Sequence, residues 1–344
     1  MLSDLQGQEA IRDFAGMGLS ILEISHRSKE FVRVMDEARA LVKELMQLKD
    51  NYEVLFLHGG ASSQFFMVPM NLLGDAETAA YFETGRWAHL AMEEAKNFGA
   101  VHVACSSKNE NFTHIPKKYN VPAGAKYLHL TSNNTVYGSQ FHWWPEVQCP
   151  VVADMSSDIF SRQLDFNRFG LIYAGAQKNM GAAGVTMVVV NKELLGNVKR
   201  KLPAMLDYRV HIEKQSMHNT PPVFPVYLSF LTLQWIKKQG LKKIEERNIQ
   251  KAKSLYDAID ASYLFEGTVA KEDRSLMNVC FRFSKEAKKE LTEEKFVAFA
   301  AEHNIVGIKG YKTVGGFRAS IYNAMSEIGV DTLVEAMRDF ESRA

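Results

Sequence analysis

Leu171-Ile-Tyr-Ala-Gly-Ala-Gln-Lys178-Asn-Met-Gly-Ala-Ala-Gly184 decides how the rest of the chain is read. Its apolar start predicts a buried strand that runs straight into Gln177-Lys178, and the glycines beyond allow a tight turn into a second apolar strand, Val185 to Val190. Lys178 is thereby expected at a strand edge with glycine walls around it. Burial disfavours an ammonium and lowers a lysine's pKa, which leaves a neutral amine able to attack a carbonyl carbon and form a Schiff base. The competing reading is a loop lysine pointing into water, the commoner fate of that side chain.

Working outward, 344 residues are enough for about two domains with sizeable cores. A hydrophobic content of 46% with 24% charged residues is that of a soluble globular protein. With 41 basic and 40 acidic residues, the net charge of +1 gives no general field for nucleic acid or an anionic membrane, so any anion site must be local. Cys105, Cys149 and Cys280 are scattered without CxxC spacing, which predicts neither a disulfide framework nor a metal site and makes a reducing cytoplasm the expected location. The opening Met1-Leu-Ser-Asp lacks a basic region followed by an apolar block, and no apolar run is long enough to span a bilayer; secretion and membrane insertion are not expected.

Other strand ends upstream carry chemistry of their own. Val54-Leu-Phe-Leu57 runs into His58-Gly-Gly-Ala61-Ser62-Ser63, where small residues at a strand-to-helix turn let backbone N–H groups approach a phosphate, with Ser62 or Ser63 adding a hydroxyl. A plain glycine turn is the rival there. From Ala79 to Ala104 a strand, Gly85-Arg-Trp87, an amphipathic helix and a second strand make a βαβ unit, which predicts parallel pairing. Trp87 then stands at a strand's carboxyl end, able to stack on a flat ring or to fill core. Strand Tyr127 to Thr131 leads into Ser132-Asn-Asn-Thr135, and strand Val151 to Ala153 ends on Asp154, either a paired buried carboxylate or the cap of a turn.

The remaining stretches are organised around helices. Phe31, Val34, Ala38, Leu41, Val42 and Leu45 form one face of a helix preceded by Ser25-His26-Arg27-Ser28, with Ser28 in the N-cap position. Residues 192 to 215 are basic and read as helical, ending in an extended His218-Asn219-Thr220-Pro-Pro222 that is free to reach a neighbour. Gly240 is the expected break between a large domain, 1–240, and a small α+β domain, 241–344. In the latter, strand Asn278 to Phe283, a helix from Glu293, a short strand Ile305 to Ile308 and a closing helix Val330 to Phe340 are expected, with Arg318 on a strand after a glycine pair. That guanidinium suits bidentate capture of a carboxylate, a surface ion pair being the alternative.

A candidate Schiff-base lysine, an earlier strand-end aspartate, a stacking tryptophan and a glycine turn for phosphate are together the parts that pyridoxal 5'-phosphate needs. Glu23-Ile-Ser-His-Arg-Ser28, Gly85-Arg-Trp87, Ala153-Asp-Met-Ser-Ser, Tyr173-Ala-Gly-Ala-Gln-Lys-Asn, His218-Asn-Thr-Pro-Pro and Gly315-Gly-Phe-Arg-Ala-Ser-Ile-Tyr-Asn-Ala324 follow in order along the chain. In these motifs the sequence resembles the phosphoserine aminotransferase family, of the class V group of fold-type I pyridoxal-phosphate enzymes. The resemblance implies an α/β fold in which helices flank a mostly parallel sheet, plus a smaller C-terminal α+β domain. It implies that Lys178 holds the cofactor, Asp154 pairs with its ring nitrogen and Trp87 stacks on the ring. Thr135 and Gln177 would bond around the ring hydroxyl, while Ala61 and Ser62 take the phosphate, joined by Asn219 and Thr220 of the second subunit of a homodimer. Arg318 would hold the substrate α-carboxylate, with His26 and Arg27 on the distal anion. The implied reaction moves an amino group between glutamate and 3-phosphohydroxypyruvate in serine biosynthesis, with a related phosphorylated oxo acid of pyridoxine biosynthesis as a further substrate.

Two departures stand out. Family members carry an Asn-x-x-x-Gly-Pro type segment ahead of the stretch that begins here near residue 10, and a cofactor-binding scaffold of impaired activity is the expectation if that segment is needed. Some members have His-Arg where this chain has Tyr311-Lys312, which keeps the charge in the distal-anion region but not the fork. Another class V enzyme is the alternative within the group; a desulfurase reading lacks a cysteine in a candidate loop, and a nicotinamide enzyme lacks GxGxxG.

Overall fold

The computed structural model describes residues 2–287 and 290–344. Seven strands, β1 (Tyr52–Leu57), β2 (Thr78–Glu83), β3 (Ala100–Ser106), β4 (Leu128–Thr131), β5 (Val151–Asp154), β6 (Phe169–Gly175) and β7 (Thr186–Asn191), form one sheet in the order β1-β7-β6-β5-β4-β2-β3. Pairings from β6 through β5, β4 and β2 to β3 are parallel, and β7 alone runs against its neighbours β6 and β1. Every residue of β6 is buried, because helices cover both faces of the sheet and no alternation with polar residues is needed.

Among the helices, α1 (Leu2–Arg12), α2 (Lys29–Leu45) and α6 (Val223–Gln239) lie on one face. There Phe31 and Val34 of α2 and Leu233 of α6 pack in one cluster with Phe56, Ile172 and Val189 of the sheet. On the other face α3 (Gly60–Leu72), α4 (Arg86–Ala95) and α5 (Tyr208–Glu213) bring Phe65, Met92 and Tyr208 against Leu57, Tyr173 and Val188. Consecutive residues such as Ile172 and Tyr173 therefore anchor opposite layers, as the two-residue period of a strand requires.

The C-terminal elements are α7 (Leu241–Ala261), β8 (Phe265–Gly267), β9 (Asn278–Phe283), α8 (Glu293–Glu302), β10 (Phe317–Ser320) and α9 (Glu327–Ser342). β8, β9 and β10 form a second, antiparallel sheet in the order β10-β9-β8, packed through Phe265, Phe281, Phe296 and Phe317. The observed architecture is the expected one of a mostly parallel sheet between helices with a smaller α+β unit.

Local expectations fare unevenly. Ser28 is the N-cap of α2 and accepts the Phe31 N–H at 3.3 Å. Residues 192–215, read as helical, are irregular chain and two short 3-10 turns with α5 as the one α-helix, because Gly196 (φ +85°) and Pro203 interrupt the register. Ile305 to Ile308 forms no ladder; Gly307 takes a φ of +73° and pairing is reduced to one bridge, Lys309 to Phe317. α1 begins near the start of the chain, where no apolar stripe marks a helix in the sequence.

Candidate active site

The carboxyl ends of β4, β5 and β6 converge on a cavity of about 170 Å³. Lys178 follows β6 and its Nζ donates to Thr135 Oγ1 at 2.7 Å. Burial lowers the lysine's pKa and the Arg318 charge lowers it further, while Asp154 opposes both. Asp154, the last residue of β5, is buried and accepts the Ser156 N–H at 2.9 Å. Burial raises its pKa, against the bonds from Ser156 and the nearby Lys178 charge. An amine pushed toward neutrality thus shares one cavity with an acid pushed toward protonation, and such opposed shifts mark groups that handle protons.

At the other end stands the first turn of α3. Gly59 caps it at φ +89°, and a side chain at that position would collide with Ser63, whose Oγ donates to the Gly59 carbonyl at 2.9 Å. Gly60, Ala61 and Ser62 line the cavity, so of the two candidate hydroxyls Ser62 faces inward and Ser63 is engaged by the turn. Free N–H groups of a first helical turn are a ready anion site. Trp87 sits on the wall, two residues past Gly85, which approaches Asn134 too closely for any side chain. Asn134 Nδ2 donates to the Thr84 carbonyl and fixes that turn. The indole Nε1 and Thr131 Oγ1 are buried without partners, as expected of a wall that faces a polar guest.

Gln177 also lines the cavity, though much of it is exposed. Arg318 on β10 reaches the same place from the C-terminal unit: its Nη1 donates to the Thr135 carbonyl at 3.3 Å and its Nε is buried with no partner. His26 is buried, its Nε2 unpartnered and its pKa lowered by burial and by Arg27. Arg27 is exposed, and neither it nor His26 lines the cavity of this subunit. Asn219 lines a separate cavity beside Gly59 and Ser63, where His58 Nε2 donates to the Thr220 carbonyl at 2.8 Å. Tyr311 and Lys312 lie on the loop leading to β10, with Tyr311 half-buried and Lys312 exposed. Phe65, Thr131, Asn133, Ser156 and Ser157 line the cavity without having been singled out. The polar ends of β4 and β5, Ser132-Asn-Asn and Asp154-Met-Ser-Ser, were the signal for most of them.

Comparison with known proteins agrees with this geometry. The family described as "Aminotransferase class-V" matches residues 6–333. A phosphoserine aminotransferase of Parabacteroides distasonis is 53% identical over 97% of this chain and 93% of that protein, and one of Flavobacterium psychrophilum is 54% identical over 97% and 94%. Among solved structures, phosphoserine aminotransferase from Bacillus circulans subsp. alkalophilus superposes with a TM-score of 0.95 at 43% identity, covering 100% of this chain and 96% of that one. The PLP-bound enzyme from Trichomonas vaginalis gives 0.93 at 33% identity, over 98% and 96%. With matches of this extent, the chain belongs to the class-V aminotransferases and, within them, to the phosphoserine aminotransferase family.

Proposed function

We propose that the protein is a pyridoxal 5'-phosphate-dependent transaminase that exchanges an amino group between glutamate and 3-phosphohydroxypyruvate, yielding 2-oxoglutarate and 3-phosphoserine in serine biosynthesis. The observation that carries this reading is Lys178 and Asp154 on one cavity wall with the N-terminus of α3 on another. The cavity fits the cofactor on its own chemistry: a helix start for the phosphate, an unpartnered indole on the wall, a buried acid and an amine. Ala61 and Ser62 would hold the phosphate, Trp87 the ring face, Asp154 the ring nitrogen, Thr135 and Gln177 the ring hydroxyl and Lys178 the aldehyde carbon. Bound there, the cofactor supplies an electron-poor ring that draws charge from the substrate's α-carbon.

The chain's own residues do the rest. Asp154 would pair with the ring nitrogen as a carboxylate, since a cation placed beside it would counter the rise that burial gives its pKa. Nζ of Lys178, held against Thr135 and biased toward the neutral amine, takes the α-proton. Arg318 has donors free for the α-carboxylate, and His26 and Arg27 are assigned to the distal anion. Asn219 and Thr220 lie outside the cavity of their own subunit, which supports a homodimer in which each pair reaches the partner's phosphate turn. Residues 1–240 would form the cofactor domain and 241–344 the domain that brings Arg318. Three unpaired cysteines support a cytoplasmic location, and among the described residues no helix is long and apolar enough to cross a membrane. The same pocket would accept 3-hydroxy-2-oxo-4-phosphooxybutanoate of pyridoxine biosynthesis, which also bears a distal phosphate.

The test is an absorption titration of the holoenzyme. Glutamate should bleach the visible band and 3-phosphohydroxypyruvate restore it, with turnover of phosphoserine and 2-oxoglutarate in a coupled assay and none in Lys178→Ala. A band that glutamate leaves unchanged, with no turnover, refutes the proposal in favour of a cofactor-binding scaffold.

A further inference from the structure

Arg86 is the first residue of α4, immediately before Trp87. Among the described residues it joins no ion pair, and its Nε is buried with no hydrogen-bond partner. Neighbouring Glu83 is engaged by His89, Ser106 and Lys108, and not by the guanidinium. What holds Arg86 is an aromatic face: its guanidinium carbon lies 5.7 Å from the centroid of the Tyr311 ring. Its charge also acts on Tyr137, where it opposes the rise in pKa that burial causes.

These neighbours locate Arg86 against the rest of the site. Tyr311 belongs to the loop that returns through the Lys309–Phe317 bridge to Arg318. Tyr137 stands two residues past Thr135, which receives Lys178 Nζ and whose carbonyl accepts from Arg318. Arg86 does not line the cavity itself; it is a half-buried fork next in sequence to Trp87 of the cavity wall and in contact with Tyr311 of the loop that leads to the strand carrying Arg318. Both substrates of the proposed reaction present a second anion beyond the one Arg318 would take. Lys312, the cation beside Tyr311, is exposed and offers a point charge rather than two parallel donors.

We propose that Arg86 joins His26 and Arg27 in gripping the distal phosphate or carboxylate of the substrate, with Tyr311 serving as the plate that orients its guanidinium. The inference rests on the transaminase reading for the identity of the substrate, but not for the presence of an anion site. It makes Arg86 a specificity-determining residue: it favours amino donors with a distal anion over those without one.

The experiment uses the holoenzyme and its Arg86→Gln and Arg86→Lys forms. The ratio of kcat/KM for phosphoserine to that for alanine, which has no distal anion, should fall about 30-fold in Arg86→Gln and less in Arg86→Lys. The loss should lie mainly in KM, with the cofactor absorption band unchanged. In parallel, calorimetric titration with inorganic phosphate should give weaker binding to Arg86→Gln than to the unaltered protein. Equal losses for phosphoserine and alanine, or phosphate binding that Arg86→Gln leaves intact, overturn the inference. If the unaltered holoenzyme turns over no phosphoserine, the transaminase reading fails, and the phosphate titration still decides the role of Arg86. Should Arg86→Gln fail to fold, Arg86→Lys decides by the same two measurements.

Discussion

Asn179 Oδ1 accepts the backbone N–H of Asn323 at 3.0 Å, so the residue next to Lys178 is tied to the chain just beyond the strand that carries Arg318. Asn323 continues the connection: its Nδ2 donates to the Phe160 carbonyl at 3.0 Å and its Oδ1 accepts from Asn248 of α7 at 2.8 Å. Amine and guanidinium are thereby fixed relative to each other through buried amides.

Asn323→Ala should therefore destabilise the protein by about 1–3 kcal/mol, since it strips a buried carbonyl of its donor. Chemical denaturation measures this. A change within a few tenths of a kcal/mol would mean that water replaces the amide.

Lys251 of α7 is buried, and its Nζ donates to the carbonyls of Ile321, Tyr322 and Met325 at 3.0, 2.8 and 3.1 Å. Lys251→Met fills similar volume but leaves all three acceptors without that donor, and should lower stability by roughly 3 kcal/mol. Burial pulls the lysine's pKa down to about 8, from 10.5. The unfolded chain then binds the extra proton between these values, so Lys251's contribution makes stability rise with pH across that window. Denaturation midpoints at pH 8 and 10 should show a smaller upward slope in Lys251→Met.

Asp154 titrates in the opposite sense. Its folded pKa is raised above 3.8, so the folded apoprotein binds the proton that the unfolded chain has released, and stability falls as pH rises through that interval. A tenfold difference in proton affinity between the folded and unfolded chain corresponds to about 1.4 kcal/mol. Asp154→Asn apoprotein should match the unaltered apoprotein in acid and exceed it in thermal midpoint near neutrality. Equal midpoints at both ends would show that the acid is not desolvated.

Ser62 and Ser63 separate the inner hydroxyl of the α3 turn from the outer one. A hydrogen bond to a charged phosphate contributes roughly 1.5–3 kcal/mol, so Ser62→Ala should weaken cofactor affinity by about tenfold or more. Ser63→Ala, which only frees the Gly59 carbonyl, should weaken it far less. Cofactor release followed by fluorescence distinguishes them, and equal effects would count against an inward role for Ser62.

Lys178, Asp154 and the Gly59-Gly60 turn were legible in the sequence because each sits where an apolar run stops at residues with special backbone or charge requirements. Thr135 as the acceptor for Lys178 was not derivable from spacing, since 43 positions separate the two and only the parallel β4-β5-β6 register brings them together. Buried Asp158 escaped in part for the same reason: its carboxylate accepts from Ser132 and Gln140, 26 and 18 positions away, and only its pair with Arg162, four residues on, is local. Residues 192–215 misled because their composition is helical while one glycine and one proline control the path. Arg86 was not singled out in the sequence, because its contact with the Tyr311 ring joins positions that no local pattern links.

The cavity lining extends no further along the chain than Lys178, and the last strand of its sheet ends at Asn191, whereas Arg318 arrives with β10. Synthesis on the ribosome runs from the amino end, so the lysine and its cavity emerge well before the guanidinium assigned to the substrate's α-carboxylate. The nascent chain acquires its reactive centre first and its clasp for the α-carboxylate last.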